Sequence, residues 1–255
     1  DGTTTTAEVD DNGWITAFSD ENGYVTRYGY DAMGRLTRHD YPTDDTVAWA
    51  AITQLFDWVP FAESGIPAGH WRQTTVTGNA RKITYFDALL RPLLLQEFDT
   101  SDQPNTQRLQ SFAYDMQGHV SFSSYPVSNF PVPLKGVWTE YDALGRPTGN
   151  AQDSEHGLLT TLTEYLAEGQ VRVTNPRGKV TQTRFQMFDK PTYAHPVSIQ
   201  MPEGVVMNIE RDVFNKPLVI ARGSSDGSQT LARRYVSSTG QQLCKMIEPE
   251  TGSTL

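Results

Sequence analysis

A four-residue turn signal recurs along this chain at strand-sized intervals: Asp, Asn or Ser first, Gly fourth. Type I turns favour that pattern, because the first side chain accepts a backbone N–H and the last residue takes positive φ, which glycine does at least cost. Asp10-Asp11-Asn12-Gly13, Asp20-Glu21-Asn22-Gly23 and Asp31-Ala32-Met33-Gly34 open the series. Asp115-Met116-Gln117-Gly118, Asp142-Ala143-Leu144-Gly145, Ser154-Glu155-His156-Gly157 and Asn175-Pro176-Arg177-Gly178 continue it. Ser224-Ser225-Asp226-Gly227 and Ser237-Ser238-Thr239-Gly240 end it, with looser versions at Gly169, Gly204 and Asp212-Val213-Phe214-Asn215.

The spacers alternate with the two-residue period of a strand. Tyr24, Thr26, Tyr28 and Tyr30 share one face, as do Val137, Thr139 and Tyr141. Turns this close leave no room for a long helix, so the spacing predicts an all-β, antiparallel β-meander. The 11 Tyr, 11 Phe and 5 Trp, with abundant Thr, favour strands over both helix and disorder.

A longer repeat lies over the turns. Tyr-Asp-x-x-Gly-Arg is clearest at Tyr30, Asp31, Gly34 and Arg35, at Tyr114, Asp115 and Gly118 (with His119 in the basic place), and at Tyr141, Asp142, Gly145 and Arg146. Phe86, Asp87 and Arg91 form a variant without the glycine. Copies at Phe185–Lys190, Arg211–Lys216 and Val236–Gln241 are progressively degenerate. Their first positions are 56, 28, 27, 44, 26 and 25 residues apart, so one drifted copy is expected between Tyr30 and Phe86. Tyr41-Pro42 and Tyr125-Pro126 each follow a motif tyrosine by 11 residues. Pro92, Pro147, Pro191 and Pro217 follow the basic position, the strand start where proline is tolerated. A hairpin plus return strand cannot bury its apolar side alone, so such repeats need neighbours.

These residues resemble the YD repeat of the Rhs family: Tyr-Asp-Ala-x-Gly-Arg, preceded by Gly23-Tyr24-Val25-Thr26-Arg27-Tyr28 and followed by Tyr41-Pro42. The segment Leu243–Gly252 is similar to Rhs-type sequences as well. The resemblance implies a curved strip of YD-repeat hairpins forming part of a hollow shell. In bacterial polymorphic toxins and insecticidal toxin complexes, such a shell encloses a C-terminal toxin or effector domain. Related repeats build the barrel of teneurins, which act in cell adhesion, so a cell-surface adhesion or glycan-binding module is the alternative. The expected partners are neighbouring YD repeats of the same parent chain and the enclosed domain, possibly a glycan. A secreted or cell-surface location is implied by the resemblance alone. The family's self-cleaving motif has no match here.

The whole of 1–255 reads as one repeat region cut from something longer, since it starts at Asp1 rather than Met and the pattern runs to its end. Residues 46–72 break the rhythm. There Thr46–Ile52 begins like a strand, aromatics crowd Gln54–Phe61, and a Pro/Gly loop runs to His70, which reads as an irregular insertion or a degenerate repeat.

Chemistry is hard to place on this pattern. The net charge is −9, and the longest basic run, Arg233-Arg234, gives no grip on nucleic acid or anionic lipid. No apolar run approaches the length of a membrane span, and no signal peptide is evident. Cys244 is alone, which excludes an internal disulfide. His39, His70, His119, His156 and His195 lack the close spacing of a metal pair. The carboxylates Asp31, Asp87, Asp115, Asp142 and Asp212 each have a turn to cap. Arg35, Arg91, Arg146, Lys190 and Lys216 can pair with that Asp or lie over a repeat tyrosine. No Gly-x-Ser-x-Gly elbow occurs, and Gly223–Ser228 lacks the lysine of a phosphate loop. The chain is therefore expected to be non-enzymatic, with no cofactor and no metal.

Overall fold

Each strand ends where a turn signal begins and pairs antiparallel with its neighbour in sequence. A computed structural model describes residues 4–43, 46–187, 192–240, 242–249 and 252–254. The chain divides into unit 1, Asp1–Val137, and unit 2, Trp138–Leu255. Unit 1 opens with β1 (Thr6–Val9), β2 (Ile15–Ser19), β3 (Val25–Tyr30), β4 (Leu36–Asp40) and β5 (Ile52–Val59). It continues through β6 (His70–Thr77), β7 (Ala80–Phe86), β8 (Pro92–Asp99), β9 (Arg108–Tyr114) and β10 (Val120–Ser124).

At the boundary stands β11 (Gly136–Tyr141). Unit 2 then runs through β12 (Pro147–Ser154), β13 (Gly157–Leu166), β14 (Gln170–Thr174), β15 (Val180–Phe185) and β16 (Pro196–Met201). It ends with β17 (Val205–Arg211), β18 (Pro217–Ser224), β19 (Thr230–Ser237), β20 (Leu243–Glu248) and β21 (Gly252–Thr254). Within each unit the described pairings join consecutive strands, so both are antiparallel meanders. Among the described residues the one α-helical stretch is Gln103–Thr106, too short to bury a face. Among the described residues no helix is long and apolar enough to cross a membrane.

The motif turns share one geometry. In the first copy the Gly34 N–H donates to the Asp31 carbonyl at 3.0 Å, and the Asp31 N–H donates to the Arg35 carbonyl at 3.0 Å. Pairing shifts by a residue at Gly29/Tyr30, a bulge that the glycine, at φ +80°, makes possible. The same shift occurs at Tyr85/Phe86, where Leu90 stands in the glycine place at φ +59°. A left-handed leucine is strained by about 1 kcal/mol or more, and Leu90 is exposed enough to lose little packing. Leu90→Gly is expected to stabilise the protein by about 0.5–1 kcal/mol after glycine's entropic cost is subtracted. Urea unfolding of the two proteins measures this, and destabilisation would contradict the strain assignment.

One layer of sheet leaves little interior. Unit 1 thickens where Tyr85, Leu94 and Leu109 form a buried cluster against which Ile66, Ile83, Val127 and Val132 pack. Ile66 comes from the β5–β6 loop and Val127 and Val132 from the connection after β10, so two loops provide the second layer. In unit 2 the register sets Val171, Thr183, Ile199 and Met207 side by side on one face. Arg184, Ser198 and Asn208 line up on the other.

The stretch 46–51 is not a strand, contrary to its sequence; β5 begins only at Ile52. Trp49 instead packs at a tilt on Tyr41, just past β4, with ring centroids 5.7 Å apart, which folds this connection back toward β4. Residues 52–59 and 70–77 are two fully paired eight-residue strands. Lys190, Pro191 and Gln241 of the degenerate copies lie outside the described residues.

Candidate functional site

The repeated motif gives the arrangement of side chains that recurs most often in the chain, and it is built from the turn outward. Asp31 Oδ1 accepts the Met33 N–H at 2.9 Å and the Arg35 N–H at 3.0 Å, while Oδ2 takes Arg35 Nε at 2.6 Å. Asp87 repeats this with Leu89 and Arg91, and Asp142 with Leu144 and Arg146. Asp115 does so with Gln117 and His119, whose Nδ1 lies 2.9 Å from Oδ2. Asp212 keeps the two backbone bonds, to Phe214 and Lys216. Capping and ion pairing thus use the same carboxylate.

The guanidinium held by this carboxylate then lies over an aromatic ring of the following hairpin. Arg35 stands 4.7 Å from the Phe56 centroid, Arg91 4.6 Å from Tyr114 and Arg146 4.0 Å from Tyr165. Such a contact adds about 0.5–1 kcal/mol at exposed sites. The ion pair and the ring contact, alternatives in the sequence, occur together, and the pairing holds the guanidinium over the ring. Arg146 also donates to the Tyr193 hydroxyl at 3.0 Å. A second link runs backward: Tyr30 OH donates to the Ile15 carbonyl at 2.9 Å and Tyr114 OH to Pro92 at 2.8 Å. Arg211, standing where the motif has tyrosine, donates through Nε to the Pro196 carbonyl at 3.1 Å. Each motif is therefore a staple between hairpins.

Phe56 and Tyr165 are the rungs missed in the sequence. Phe56 falls 26 residues after Tyr30 and 30 before Phe86, so it is the drifted copy. Tyr165, 24 residues after Tyr141, divides the long 44-residue interval. Phe56 lost the turn that marks the motif and kept the ring; Tyr165 kept the ring and a turn with Gly169 at φ +66°, but has Leu166 in place of the acid and Gln170 in place of the basic residue. Phe86 itself packs on Phe56 at 5.9 Å, and Phe185 meets Tyr193 edge-on at 5.4 Å. Gly118 and Gly145 take φ of +91° and +74°, as Gly34 does.

Electrostatics follow the hydrogen bonds. The Arg35 N–H, more than any other donor, holds the Asp31 carboxyl below the usual carboxylate range. For Asp142 the Arg146 side chain does most of this. Burial pushes Asp87 and Asp115 up, but the bonds from Arg91 and His119 outweigh it and both end lowered. A carboxyl lowered in the folded state adds stability above its unfolded value, and that stability is lost as pH falls through the folded value. The urea midpoint is expected to stay flat from pH 7 to about 5 and to drop below about pH 4, near the ordinary carboxylate value. A midpoint insensitive to acid would remove these carboxylates from the stability of the fold.

The fold also assembles a group that the sequence did not foretell. Glu63, in the β5–β6 loop, accepts Arg72 Nη1 at 2.8 and 3.0 Å and lies 3.3 Å from His70 Nε2. Arg72 Nη2 reaches Asp57 Oδ2 at 2.7 Å, and His70 Nδ1 sits 2.8 Å from the Pro67 carbonyl. Ser64 Oγ lies 3.0 Å from the Tyr85 hydroxyl. Bonds within this group tie the loop down over the Tyr85 cluster. His39 is stacked on Tyr28 and packs at a tilt against Tyr41. Among the described residues no group of three or more His, Cys, Asp or Glu could hold a metal ion.

Residues 9–46 match the RHS Repeat family, which covers β2 to β4 and their turns. No curated protein sequence matches the chain. Among solved structures, the Tc holotoxin pore of Photorhabdus luminescens is similar over 97% of this chain and 15% of that one, at 13% identity and a TM-score of 0.50. The crystal structure of TcdB2-TccC3 is similar over 98% of this chain and 16% of that one, at 12% identity and a TM-score of 0.51. The form without its hypervariable C-terminal region gives 13% identity over 98% of this chain and 15% of that one, with a TM-score of 0.51. At such identity these likenesses show the fold, and this chain spans less than a fifth of theirs. Residues 9–46 thus carry an RHS repeat, and the capped turn of that repeat recurs at Asp87, Asp115, Asp142 and Asp212.

Proposed function

We propose that this chain is a non-enzymatic wall segment of an Rhs-type shell that encloses a toxin or effector domain in the parent protein. The observation that carries the reading is the staple: the motifs at Asp31, Asp87 and Asp142 each fasten their own turn and reach a ring of the next hairpin. Such a link extends a sheet sideways hairpin by hairpin, and it uses up the carboxylates and guanidiniums that could otherwise do chemistry. One of the solved structures similar in fold is a Tc holotoxin pore. β1 and β21 each pair with one described strand, β2 and β20 respectively. Their outer backbone groups are ready to continue a ladder into further repeats. Secretion or surface display follows from the same reading.

Hydrogen exchange on the intact parent and on this chain alone tests the proposal. In the parent the outward amides of β1 and β21 are expected to be protected, and a downstream domain to resist protease until the wall is unfolded. Fast exchange at both strands in both proteins, with no protected domain, would end the reading. Glycan-array binding together with that result would support adhesion instead.

A further inference from the structure

His70 is only 3% exposed, and neither the capped turns nor the staples use it. It opens β6, paired across from Val59, where the β5–β6 loop ends. Both of its ring nitrogens face oxygen: Nδ1 lies 2.8 Å from the Pro67 carbonyl and Nε2 3.3 Å from Glu63 Oε1. Carbonyl and carboxylate oxygens only accept, so a neutral ring, with a single N–H, would set a lone pair against one of them. The imidazolium, with two N–H groups, donates to both.

Charge points the same way. Arg72 reaches Glu63 through Nη1 at 2.8 and 3.0 Å and Asp57 through Nη2 at 2.7 Å, so one guanidinium serves two carboxylates. A protonated His70 is the second cation that balances the group, and a neutral one leaves a carboxylate charge unmatched away from open solvent. The other groups around the ring do not supply that balance. Tyr85, with its ring centroid 5.6 Å from that of His70, is bonded to Ser64 and held in its neutral form by burial. Asp87, one residue past the Trp71/Phe86 pair, is taken by its own turn and by Arg91. Both acceptors of the ring belong to the loop that carries Ile66 onto Tyr85, Leu94 and Leu109. We propose that His70 is a proton-operated latch on this loop, closed when the imidazolium bonds Pro67 and Glu63 together and loosened when the ring gives up a proton. The closed loop holds that proton more tightly than the open one, so closing is favoured as pH falls. The contribution is complete below about pH 6.5, where the histidine of an open loop is protonated too, and fades as pH rises above that. The latch acts on the chain's own loop and is independent of what the wall encloses.

Nitrogen-15 NMR of the histidine rings in the 255-residue chain tests this. At about pH 7.5, where an ordinary histidine is neutral, His70 is expected to carry a proton on both ring nitrogens. His156, exposed in the β12–β13 turn, should carry a proton on one. Amide exchange gives a second readout. The Ile66 and Gly69 N–H groups donate to the Glu63 and Val59 carbonyls at 2.8 and 2.9 Å. Their protection, corrected for the intrinsic rise of exchange with pH, should fall at least about tenfold between pH 6 and pH 9. Glu63→Gln keeps the size of the side chain and removes the carboxylate, so His70 should then titrate with His156 and the fall in protection should vanish. If that variant loses its strand signal in circular dichroism, the unmodified chain decides through the ring nitrogens alone. Three results would overturn the proposal: a His70 ring with one proton at pH 7.5, loop protection equal at pH 6 and pH 9, or an unchanged response in a folded Glu63→Gln chain.

Discussion

Gly34→Val is expected to destabilise unit 1 by about 3 kcal/mol, from a left-handed backbone and an overfilled contact acting together. Gly34 sits at φ +80°, a region β-branched residues avoid, and a Cβ there would stand 2.7 Å from Cζ2 of Trp14. Trp14 cannot easily retreat, since its ring already packs on Tyr30 at 5.5 Å. Gly13→Val separates the two causes. Gly13 has nearly the same φ, +82°, with nothing within 4 Å of the added carbon, so it should cost about 1–2 kcal/mol from the backbone alone. Gly29→Ala, in mid-strand, meets Arg38 Cβ at 3.3 Å and Thr37 Oγ1 at 3.6 Å and should change stability by less than about 1 kcal/mol. Urea denaturation of the three variants reads these differences. Equal losses at Gly34 and Gly13 would remove the tryptophan from the account.

Legibility in the sequence followed the range of the interactions. The capped turns were readable because their partners sit two and four residues apart: Asp10 to Asn12 and Trp14, Asp20 to Asn22 and Tyr24, Asn175 to Arg177 and Lys179. Once the turns are fixed, the meander follows, because short connections leave antiparallel neighbours as the simple outcome. Both roles of the motif arginine were also in view, but not their union, since the ring it covers belongs to another hairpin.

What stayed hidden depends on contacts across many residues. Phe56-Asp57 kept its ring and acid, yet Asp57 no longer caps a turn; it pairs with Arg72, and β5 runs on to Val59. The loops that roof Tyr85, Leu94 and Leu109 contribute Ile66, Val127 and Val132 at positions that follow no strand or helix period. Thr46–Ala51 begins like a strand in sequence, but Trp49 packs on Tyr41 instead of extending a ladder. Periodicity reports which side of an element is apolar. It does not report which loop folds over that side.

Asp87→Ala is expected to cost about 2 kcal/mol at pH 7, and Asp87→Asn less than half as much, at roughly 1 kcal/mol per hydrogen bond lost. Asp87 serves the variant copy that lacks glycine. Its Oδ1 accepts the Leu89 and Arg91 N–H groups, each at 2.9 Å, and its Oδ2 takes Arg91 Nε at 2.7 Å. Alanine removes all three bonds and leaves Leu90 in its strained φ of +59° without support. Arg91 also loses the partner that holds it over Tyr114. Asparagine keeps one carbonyl oxygen for the two backbone donors, as Asn175 does naturally toward Arg177 and Lys179. The acid response separates the caps from the ion pair. The lowered Asp87 carboxyl contributes above about pH 4 and its contribution fades as pH falls through the folded value. Asp87→Asn should therefore lie closer to wild type at pH 3 than at pH 7, whereas Asp87→Ala should remain well below it at both. An asparagine variant as unstable as the alanine one at pH 7 would mean that the ion pair, not the turn cap, holds this repeat together.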